Sequence, residues 1–143
     1  MAVAQNRILE KNFLVANGFG VAPYAVIQNT NTHNSDGVTP QKRPELFPGL
    51  FPGILKISRF GYDGKGQVRV KNPAELDRAF IGMNREPCVL EKLLPLESEV
   101  SVIVSRSFDG EVATFPLSEN QHQSGILDIS IIPARVSPVI IQN

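Results

Sequence analysis

A glycine-rich loop between two short strands constrains this chain more than any other feature of its sequence. Strands are predicted over 54–58 and 68–71, and glycines 61, 64 and 66 fall within the six residues GYDGKG between them. Glycine lets a backbone approach a ligand closely, and successive N–H groups in such a loop can form an anion-binding nest. The P-loop and the dinucleotide fingerprint have other glycine spacings and join a strand to a helix, so neither is predicted.

Two lysines add positive charge to this loop. Lys56 precedes it on the first strand, and Lys65 lies within it. Together with the glycines, they suit the binding of a polyphosphate. The alternative is a glycine-rich hairpin turn that binds nothing, and the spacing alone leaves both interpretations open.

Composition narrows the classes of partner. A chain of 143 residues suffices for one domain with a hydrophobic core, and 14 basic against 14 acidic side chains give a net charge of zero. Such a chain lacks the basic surface that binds nucleic acids and anionic membranes, so neither partner is predicted. No apolar run approaches the ~20 residues of a membrane helix, and the first residues lack the apolar stretch of a signal peptide. We therefore expect a soluble, cytoplasmic protein.

Cysteine and histidine are too scarce for the common metal sites. A single cysteine, Cys88, excludes an intrachain disulfide and a multi-cysteine zinc site, and two histidines, His33 and His122, leave little for a histidine cage. Cys88 lies in an apolar run with no histidine near it in the sequence, which favours burial over nucleophilic chemistry. No metal ligand is predicted in this chain, and no catalytic residue is identified.

The remaining pattern predicts an α+β fold without an internal domain boundary. One helix is expected over 5–17, ended by Gly18. A second is expected over 73–83, with Asn72 as its N-cap; its inward-facing residues are Leu76, Ala79 and Phe80. A long loop is expected at 28–53, before the strand at 54–58. In this loop LFPG occurs twice, and each Pro-Gly pair favours a type II turn.

Alternation and apolar runs predict the other strands. Their ranges are 24–27, 88–90, 99–106, 111–116 and 126–132. Asp109-Gly110 predicts a hairpin turn between the third and fourth of these strands. The polar stretch 116–122, before the last strand, is expected to be a loop.

Two polar stretches beside these strands are candidate sites. They contain Glu91, Glu97 and Glu99 in the first, and Glu119, Asn120 and His122 in the second. A carboxylate next to a strand end can accept hydrogen bonds from ribose hydroxyls or from an exocyclic amine. From the residues alone, a solvated acidic turn and a solvated histidine are the favoured alternatives.

Four segments in this order resemble the central ATP-grasp region of the 5-(carboxyamino)imidazole ribonucleotide synthase family, the ATPase subunit of phosphoribosylaminoimidazole carboxylase. They are QNRILEK at 5–11, LK with GYDGKGQ at 55–67, EKLLPLESEVSVIVSR at 91–106 and FPLSENQHQSGILDISIIPARVSP at 115–138. The EVSV stretch is shared with related ATP-grasp enzymes, whereas the combination is specific. The resemblance implies a partial ATP-grasp domain over 1–143, built from antiparallel sheets with short helices. The loop at 28–53 fits poorly, and the flanking N- and C-terminal domains of the family are expected to be absent.

The resemblance also implies an activity, that of an ATP-dependent carbon–nitrogen ligase in de novo purine (IMP) biosynthesis. Members of the family carboxylate 5-aminoimidazole ribonucleotide: ATP phosphorylates bicarbonate, and the carboxyphosphate or its CO₂ reaches the substrate amine. The protein positions the reactants and neutralises charge on the transferring phosphoryl group. Mg²⁺ is implied as a second cofactor, with its acidic ligands outside this chain. A homodimer is implied as one oligomeric state.

Matching positions assign residues of this chain to the ATP site. Arg7 and Lys56 match residues at the phosphates, Glu99 matches the ribose-binding glutamate, and His122 matches the histidine of the nucleotide site. The mobile loop that closes over ATP corresponds to Gly61, Tyr62, Asp63, Gly64, Lys65, Gly66 and Gln67. The segment that holds adenine corresponds to Glu91, Lys92, Leu93 and Leu94. Phe60 stands where the family generally has glycine, so we expect a stiffer first hinge of the loop.

Other interpretations stay open beside that of an enzyme part. They are a truncated nucleotide-binding module without catalysis, a structural remnant, and a biotin-carboxylase-like relative within the ATP-grasp enzymes. The run ENQHQSGILDISIIPA favours the purine enzyme over the last of these. Because the metal carboxylates of the family are expected beyond Asn143, the chain alone is expected to bind ATP weakly and to turn over little or not at all.

Overall fold

The computed structural model of the chain describes residues 3–28, 48–59, 66–123 and 126–142. It forms two compact units, the first unit (Met1–Leu94) and the second unit (Pro95–Asn143). This differs from the expectation of no internal boundary. In the described part of the chain, each sheet is built from strands of one unit only, and strand patterns in a sequence do not reveal which strands pair.

The first unit is a four-stranded antiparallel sheet in the order β1-β4-β2-β3. Its strands are β1 (Tyr24–Ile27), β2 (Gly53–Ile57), β3 (Gln67–Val70) and β4 (Cys88–Lys92). All four were predicted, each within two residues at its ends. β2 and β3 pair directly, so the glycine-rich segment does connect two antiparallel strands.

Two capped helices, α1 (Arg7–Ala16) and α2 (Pro73–Gly82), complete this unit. The Asn6 side chain accepts a hydrogen bond from the backbone N–H of Ile8 at 2.9 Å, and the Asn72 side chain accepts one from Glu75 at 2.9 Å. Asparagine at the N-cap satisfies amides that have no partner within the helix. Gly18 follows α1 with φ +76°, as its predicted C-terminal position requires.

The hydrophobic core lies on one face of the four-stranded sheet. Leu55 of β2 and Leu90 of β4 are opposite each other, and both are fully buried, as is Leu76 of α2. Ala79 and Phe80 pack against this core, so the predicted inward face of α2 is confirmed. Because successive strand residues alternate between faces, Lys56 and Glu91 lie on the opposite face.

The type II turns predicted for the two Pro-Gly pairs are wrong. A short 3₁₀ helix covers Pro48–Leu50, and Gly53 opens β2; neither Gly49 nor Gly53 has the positive φ that a type II turn needs. Gly53 is required instead by a close approach, since a Cβ there would lie 2.6 Å from the Leu50 carbonyl oxygen and 2.9 Å from that of Glu91. Residues 29–47 of the predicted loop lie outside the described residues.

The second unit consists of a three-stranded sheet, a separate hairpin and a short helix. The sheet contains β5 (Glu99–Ser101), β8 (Ser118–Gln123) and β9 (Ile126–Ile131), in the order β5-β8-β9. The hairpin pairs β6 (Val104–Arg106) with β7 (Val112–Thr114), and α3 is Pro138–Gln142. The predicted Asp109-Gly110 turn is confirmed, with Gly110 at φ +94°.

Two predictions for this unit are wrong. The single strand expected over 99–106 is interrupted at residues 102–103, and its halves pair in different sheets. The polar stretch expected to be a loop contains β8, the central strand of the three-stranded sheet. Its side chains do not need to be apolar because neither face of this sheet is buried in a core; Ala134 is the one buried residue among those described in the unit.

The predicted α+β class, with antiparallel sheets and short helices, is confirmed. Within the described ranges, no helix is long and apolar enough to cross a membrane.

Candidate functional site

The central feature of the first unit is an ion pair between Lys56 and Glu91. Glu91 pairs with Ile54 across β4 and β2, and Lys56 is two residues further along β2, so the two side chains are diagonal neighbours on one sheet face. Lys56 Nζ lies 3.0 Å from Glu91 Oε2. Their side chains are only 21% and 12% exposed, respectively, which weakens the screening of this pair by solvent.

A second lysine, Lys11 of α1, shares the same carboxylate oxygen. Its Nζ lies 3.5 Å from Glu91 Oε2 and 5.7 Å from the centroid of the Tyr24 ring. Tyr24 pairs with Glu91 across β1 and β4, and its hydroxyl donates a hydrogen bond to Asn12 at 3.1 Å. The cluster Lys11–Glu91–Lys56 therefore contains two cations and one anion, with an excess positive charge on a largely enclosed sheet face.

The ends of the glycine-rich loop lie next to this cluster. The N–H of Ile57 donates to the Gly66 carbonyl at 2.9 Å, which brings the two ends of the loop together. Gln67 pairs with Lys56, so both side chains lie on the same face. Part of the predicted loop lies outside the described residues, namely Gly61, Tyr62, Asp63, Gly64 and Lys65. The same is true of Phe60.

Arg7, the first residue of α1, is tied to the end of β2. Its backbone N–H donates to the Ser58 carbonyl at 2.9 Å, two residues beyond Lys56. Arg7 and Lys11 are four residues apart, a spacing that places both on one side of the helix. α1 thus brings both basic residues to the side of the sheet that carries Lys56.

The segment after Glu91 already uses part of its hydrogen-bonding capacity. The N–H of Lys92 donates to the Pro23 carbonyl, and the N–H of Leu93 donates to the Pro52 carbonyl, both at 2.9 Å. Two of the three amides from Lys92 to Leu94 are therefore engaged within the unit. Among the described backbone hydrogen bonds outside the strand ladders, the Leu94 amide donates none, so it is the amide that this segment offers to a ligand.

In the second unit, Glu99 and His122 come together. His122 Nε2 lies 3.5 Å from Glu99 Oε1, with the side chains 33% and 50% exposed, respectively. His122 follows a β-bulge between Gln121 and His122, which changes the direction of a side chain relative to a regular strand. The predicted histidine and ribose-binding glutamate are thus direct neighbours, although sequence reasoning placed the histidine in a loop.

A row of hydrogen-bonded polar side chains crosses the same three-stranded sheet. The Asn120 amide donates to Ser101 and accepts from Ser130, each at 2.9 Å, and the hydroxyls of Ser101 and Ser118 are 2.9 Å apart. Asn120 pairs with Glu99 across β5 and β8, so the row and Glu99 occupy one face. The row links all three strands at the position of the Glu99–His122 pair.

Glu119 points to the other face of β8, where it binds Arg135. Arg135 donates to the two carboxylate oxygens through Nη2 at 2.7 Å and Nε at 3.0 Å, and its backbone N–H donates at 3.2 Å. These hydrogen bonds hold the pKa of Glu119 below its ordinary value and raise that of Arg135. Such a bidentate pair fixes the segment after β9 against β8 and engages both oxygens of the Glu119 carboxylate.

Cys88 is buried in the core, as predicted. Its side chain has no exposed surface, and its thiol lies 3.1 Å from the Glu86 carbonyl oxygen. Burial, with a smaller effect of the Glu86 charge, raises the pKa of Cys88 to about 12. A thiol with that pKa is a poor nucleophile at neutral pH.

Among the described residues, no group of three or more His, Cys, Asp or Glu side chains could hold a metal ion.

Residues 12–143 match the sequence model of the ATP-grasp domain family. The chain belongs to the ATP-grasp family. Its curated relatives include the N5-carboxyaminoimidazole ribonucleotide synthase of Bacillus subtilis, which is 39% identical over 143 residues, or 100% of this chain and 35% of that protein. This ATP-grasp chain thus spans about a third of the length of that relative.

Solved structures agree with this assignment. An N5-carboxyaminoimidazole ribonucleotide synthetase in complex with ADP matches with a TM-score of 0.78 and 42% identity, over 96% of this chain and 34% of that one. The N5-carboxyaminoimidazole synthase of Aspergillus clavatus, in complex with ADP and 5-aminoimidazole ribonucleotide, matches with a TM-score of 0.77 and 25% identity, over 99% and 34%. The predicted resemblance to this synthase family and the ATP-grasp fold class are confirmed.

Sequence reasoning missed Lys11 and Tyr24 as neighbours of Glu91. The spacing of Lys11 from Arg7 could have indicated the first, because residues four apart share a helix face. Tyr24 could not have been found in this way, since its position beside Glu91 depends on the pairing of β1 with β4.

Proposed function

We propose that this chain is the ATP-binding part of an N5-carboxyaminoimidazole ribonucleotide synthase. The observation that carries the proposal is the Lys11–Glu91–Lys56 cluster beside the closed ends of the glycine-rich loop. An excess positive charge with little exposure is suited to a polyphosphate, because the attraction is screened less than at an open surface. The relatives with ADP and 5-aminoimidazole ribonucleotide bound give the proposal its substrate class.

In this proposal, the first unit binds the phosphates and the base. Lys56 and Arg7 contact the phosphates, and the loop from Gly61 to Gln67 closes over them. The Glu91 carboxylate and the backbone of the segment Lys92, Leu93 and Leu94 bind adenine. Since the amides of Lys92 and Leu93 are engaged, the backbone contact is made by the Leu94 amide and by carbonyl groups.

The second unit contributes Glu99 and His122, which we assign to the ribose hydroxyls. A carboxylate accepts hydrogen bonds from a pair of hydroxyls, and the imidazole 3.5 Å away orients that carboxylate. The bulge before His122 sets the direction of the imidazole. The Asn120 row holds the three strands that carry this pair in register.

The reaction we propose is the carboxylation of 5-aminoimidazole ribonucleotide with bicarbonate and ATP. The residues of this chain orient the nucleotide and neutralise phosphate charge, which is the larger part of what a protein contributes to phosphoryl transfer. Mg²⁺, by analogy with the family, would supply further charge neutralisation. A cytoplasmic location and a homodimer belong to the same proposal.

Nucleotide titration tests the ATP assignment. We expect Lys56→Ala to raise the Kd for ATP roughly 10- to 100-fold, the loss that corresponds to one charge-assisted hydrogen bond. Lys71→Ala is the matched control, because Lys71 is exposed just after β3 and should leave the Kd unchanged. Calorimetry or intrinsic tyrosine fluorescence would provide the Kd. Equal affinities of the wild type and Lys56→Ala would contradict the assignment.

A second measurement tests the substrate. With bicarbonate and 5-aminoimidazole ribonucleotide present, an ATP titration should give a lower Kd for ATP than in their absence, or ADP release should be faster. If ATP binds and neither quantity responds, the chain is a nucleotide-binding module and the synthase assignment fails.

A further inference from the structure

We infer that Lys11 is a positioning residue of the proposed ATP site: it neutralises Glu91, so that Lys56 can exchange that carboxylate for a phosphate group. The inference rests on the proposed function in one respect only, the identity of the anion. It begins from the fact that one oxygen, Glu91 Oε2, is shared by two lysines.

The first step concerns the state that precedes nucleotide binding. Lys56 is held by Glu91 at 3.0 Å, and the Glu91 side chain is 12% exposed. If Lys56 moved to a phosphate with no other cation nearby, the carboxylate would remain enclosed and uncompensated, which is strongly unfavourable. A lysine held by its only counter-ion would therefore be a poor phosphate ligand.

The second step is that Lys11 provides the compensating charge and is held independently of Lys56. It extends from α1 to Glu91 Oε2 at 3.5 Å, with 15% exposure, and its ammonium is near the face of Tyr24. A cation near an aromatic ring gains an attraction that does not depend on Lys56. The hydroxyl of Tyr24 is in turn bonded to Asn12 on the same helix. Lys11 can therefore stay in place while Lys56 moves.

The third step distinguishes positioning from simple attraction. If Lys11 acted only through its own long-range attraction to the nucleotide, its removal would weaken binding whatever residue 91 is. If it acts through Glu91, its removal matters only while residue 91 carries a negative charge. The two roles therefore differ in how positions 11 and 91 are coupled.

A double-mutant cycle with ATP as the probe measures this coupling. We expect Lys11→Met to raise the Kd for ATP roughly tenfold, and Lys11→Arg to keep it near the wild-type value. In the Glu91→Gln background, which has its own effect on affinity, adding Lys11→Met should change the Kd by less than about twofold. Lys71→Met, which removes the charge of an exposed lysine, is the control for the change in net charge. A tenfold loss in both backgrounds would overturn the inference.

A ligand-free measurement separates this inference from the proposed function. Mass spectrometry after brief acetylation gives the reactivity of the Lys56 amine. Lys56 should react more slowly in Lys11→Met than in the wild type, because Glu91 then holds it alone, and Glu91→Gln should restore its reactivity in the double variant. Circular dichroism of each variant checks that it is folded.

The outcomes are distinct. If the wild type binds no ATP but Lys56 reactivity follows this pattern, the proposed function fails and the role of Lys11 stands. If ATP binds and Lys56 reactivity is unaffected by Lys11→Met, the role of Lys11 is overturned and the proposed function remains.

Discussion

The two units hold their polar residues in place by different means. In the first unit, the sheet face that carries Lys56 and Glu91 is backed by a core in which Leu55, Leu76 and Leu90 are fully buried. In the second unit, Ala134 is the one buried residue among those described, and the Glu99–His122 pair is one-third to one-half exposed. Site geometry in the first unit therefore depends on packing, whereas in the second it depends on hydrogen bonds between side chains. Substitutions should disturb the two units in correspondingly different ways.

The largest effect is expected from Gly53→Ala in the first unit. A methyl group there would meet the carbonyl oxygens of Leu50 and Glu91 at 2.6 and 2.9 Å. Leu50 ends the short 3₁₀ helix and Glu91 lies in β4, so relief of the clash requires a backbone shift in one of these elements or in β2. Overpacking of this kind lowers the free energy of unfolding by ~1–3 kcal/mol, and it should also displace Glu91. Urea denaturation followed by circular dichroism provides the measurement.

Gly49→Ala is the matched control for this substitution. A Cβ at Gly49 has open space around it, and its φ is not positive, so we expect little change in stability. Equal destabilisation by the two variants would show that the close approach at Gly53 does not hold the first unit together.

Chemical labelling of Cys88 should give the next largest effect, and it reports on the first unit alone because the chain has one cysteine. With a pKa of about 12 instead of 9.0, the thiolate is roughly a thousandfold scarcer below pH 9. Reaction with Ellman's reagent should therefore be very slow in the folded protein and ordinary in urea. If Cys88 loses its protection from the reagent in Gly53→Ala, the substitution at Gly53 also disturbs the core around Cys88.

A thiol in the second unit supplies the contrast. In the Cys88→Ala, Val112→Cys variant, the new cysteine stands on β7, where the valine is 49% exposed. We expect it to react in the folded protein at close to the rate measured in urea. Strong protection at this position would contradict the difference drawn between the units.

The success of prediction from the sequence also differs between the two units. The helices and the four strands of the first unit could be recognised because apolar spacing records burial on one side, and because the capping asparagine before α2 and the glycine after α1 mark helix ends. β8 could not, because its side chains SENQHQ are polar and its backbone partners come from Glu99–Ser101 and Ile126–Ile131. The break at 102–103 escaped prediction because alternation continues through it.

The candidate site shows a similar limit. The approach of Lys56 to Glu91 depends on the pairing of β2 with β4, which are more than 30 residues apart in the chain. No local pattern contains that register. The proximity of Glu99 and His122 likewise requires a strand where the residues indicate a loop. Resemblance to a family named these residues, and the sheet pairings give the physical reason why they lie near one another.

The smallest effect concerns the Glu119–Arg135 pair, which should make the second unit sensitive to acid. The folded pKa of Glu119 lies below its ordinary value of 4.5. The stabilisation is therefore fully present above that pH and is lost as the pH falls through the lower, folded pKa. Amide protection factors in β8 and β9, measured by hydrogen exchange between pH 6 and pH 3, should decline over this range.

Arg135→Met should remove much of this decline, because the carboxylate then has no guanidinium partner and its pKa moves back towards the ordinary value. Arg106→Met, on exposed β6, is the control and should leave the decline unchanged. The effect is small because the Arg135 side chain is 62% exposed and exposed ion pairs contribute little. An unaltered pH dependence in Arg135→Met would mean that other carboxylates control the acid sensitivity of the second unit.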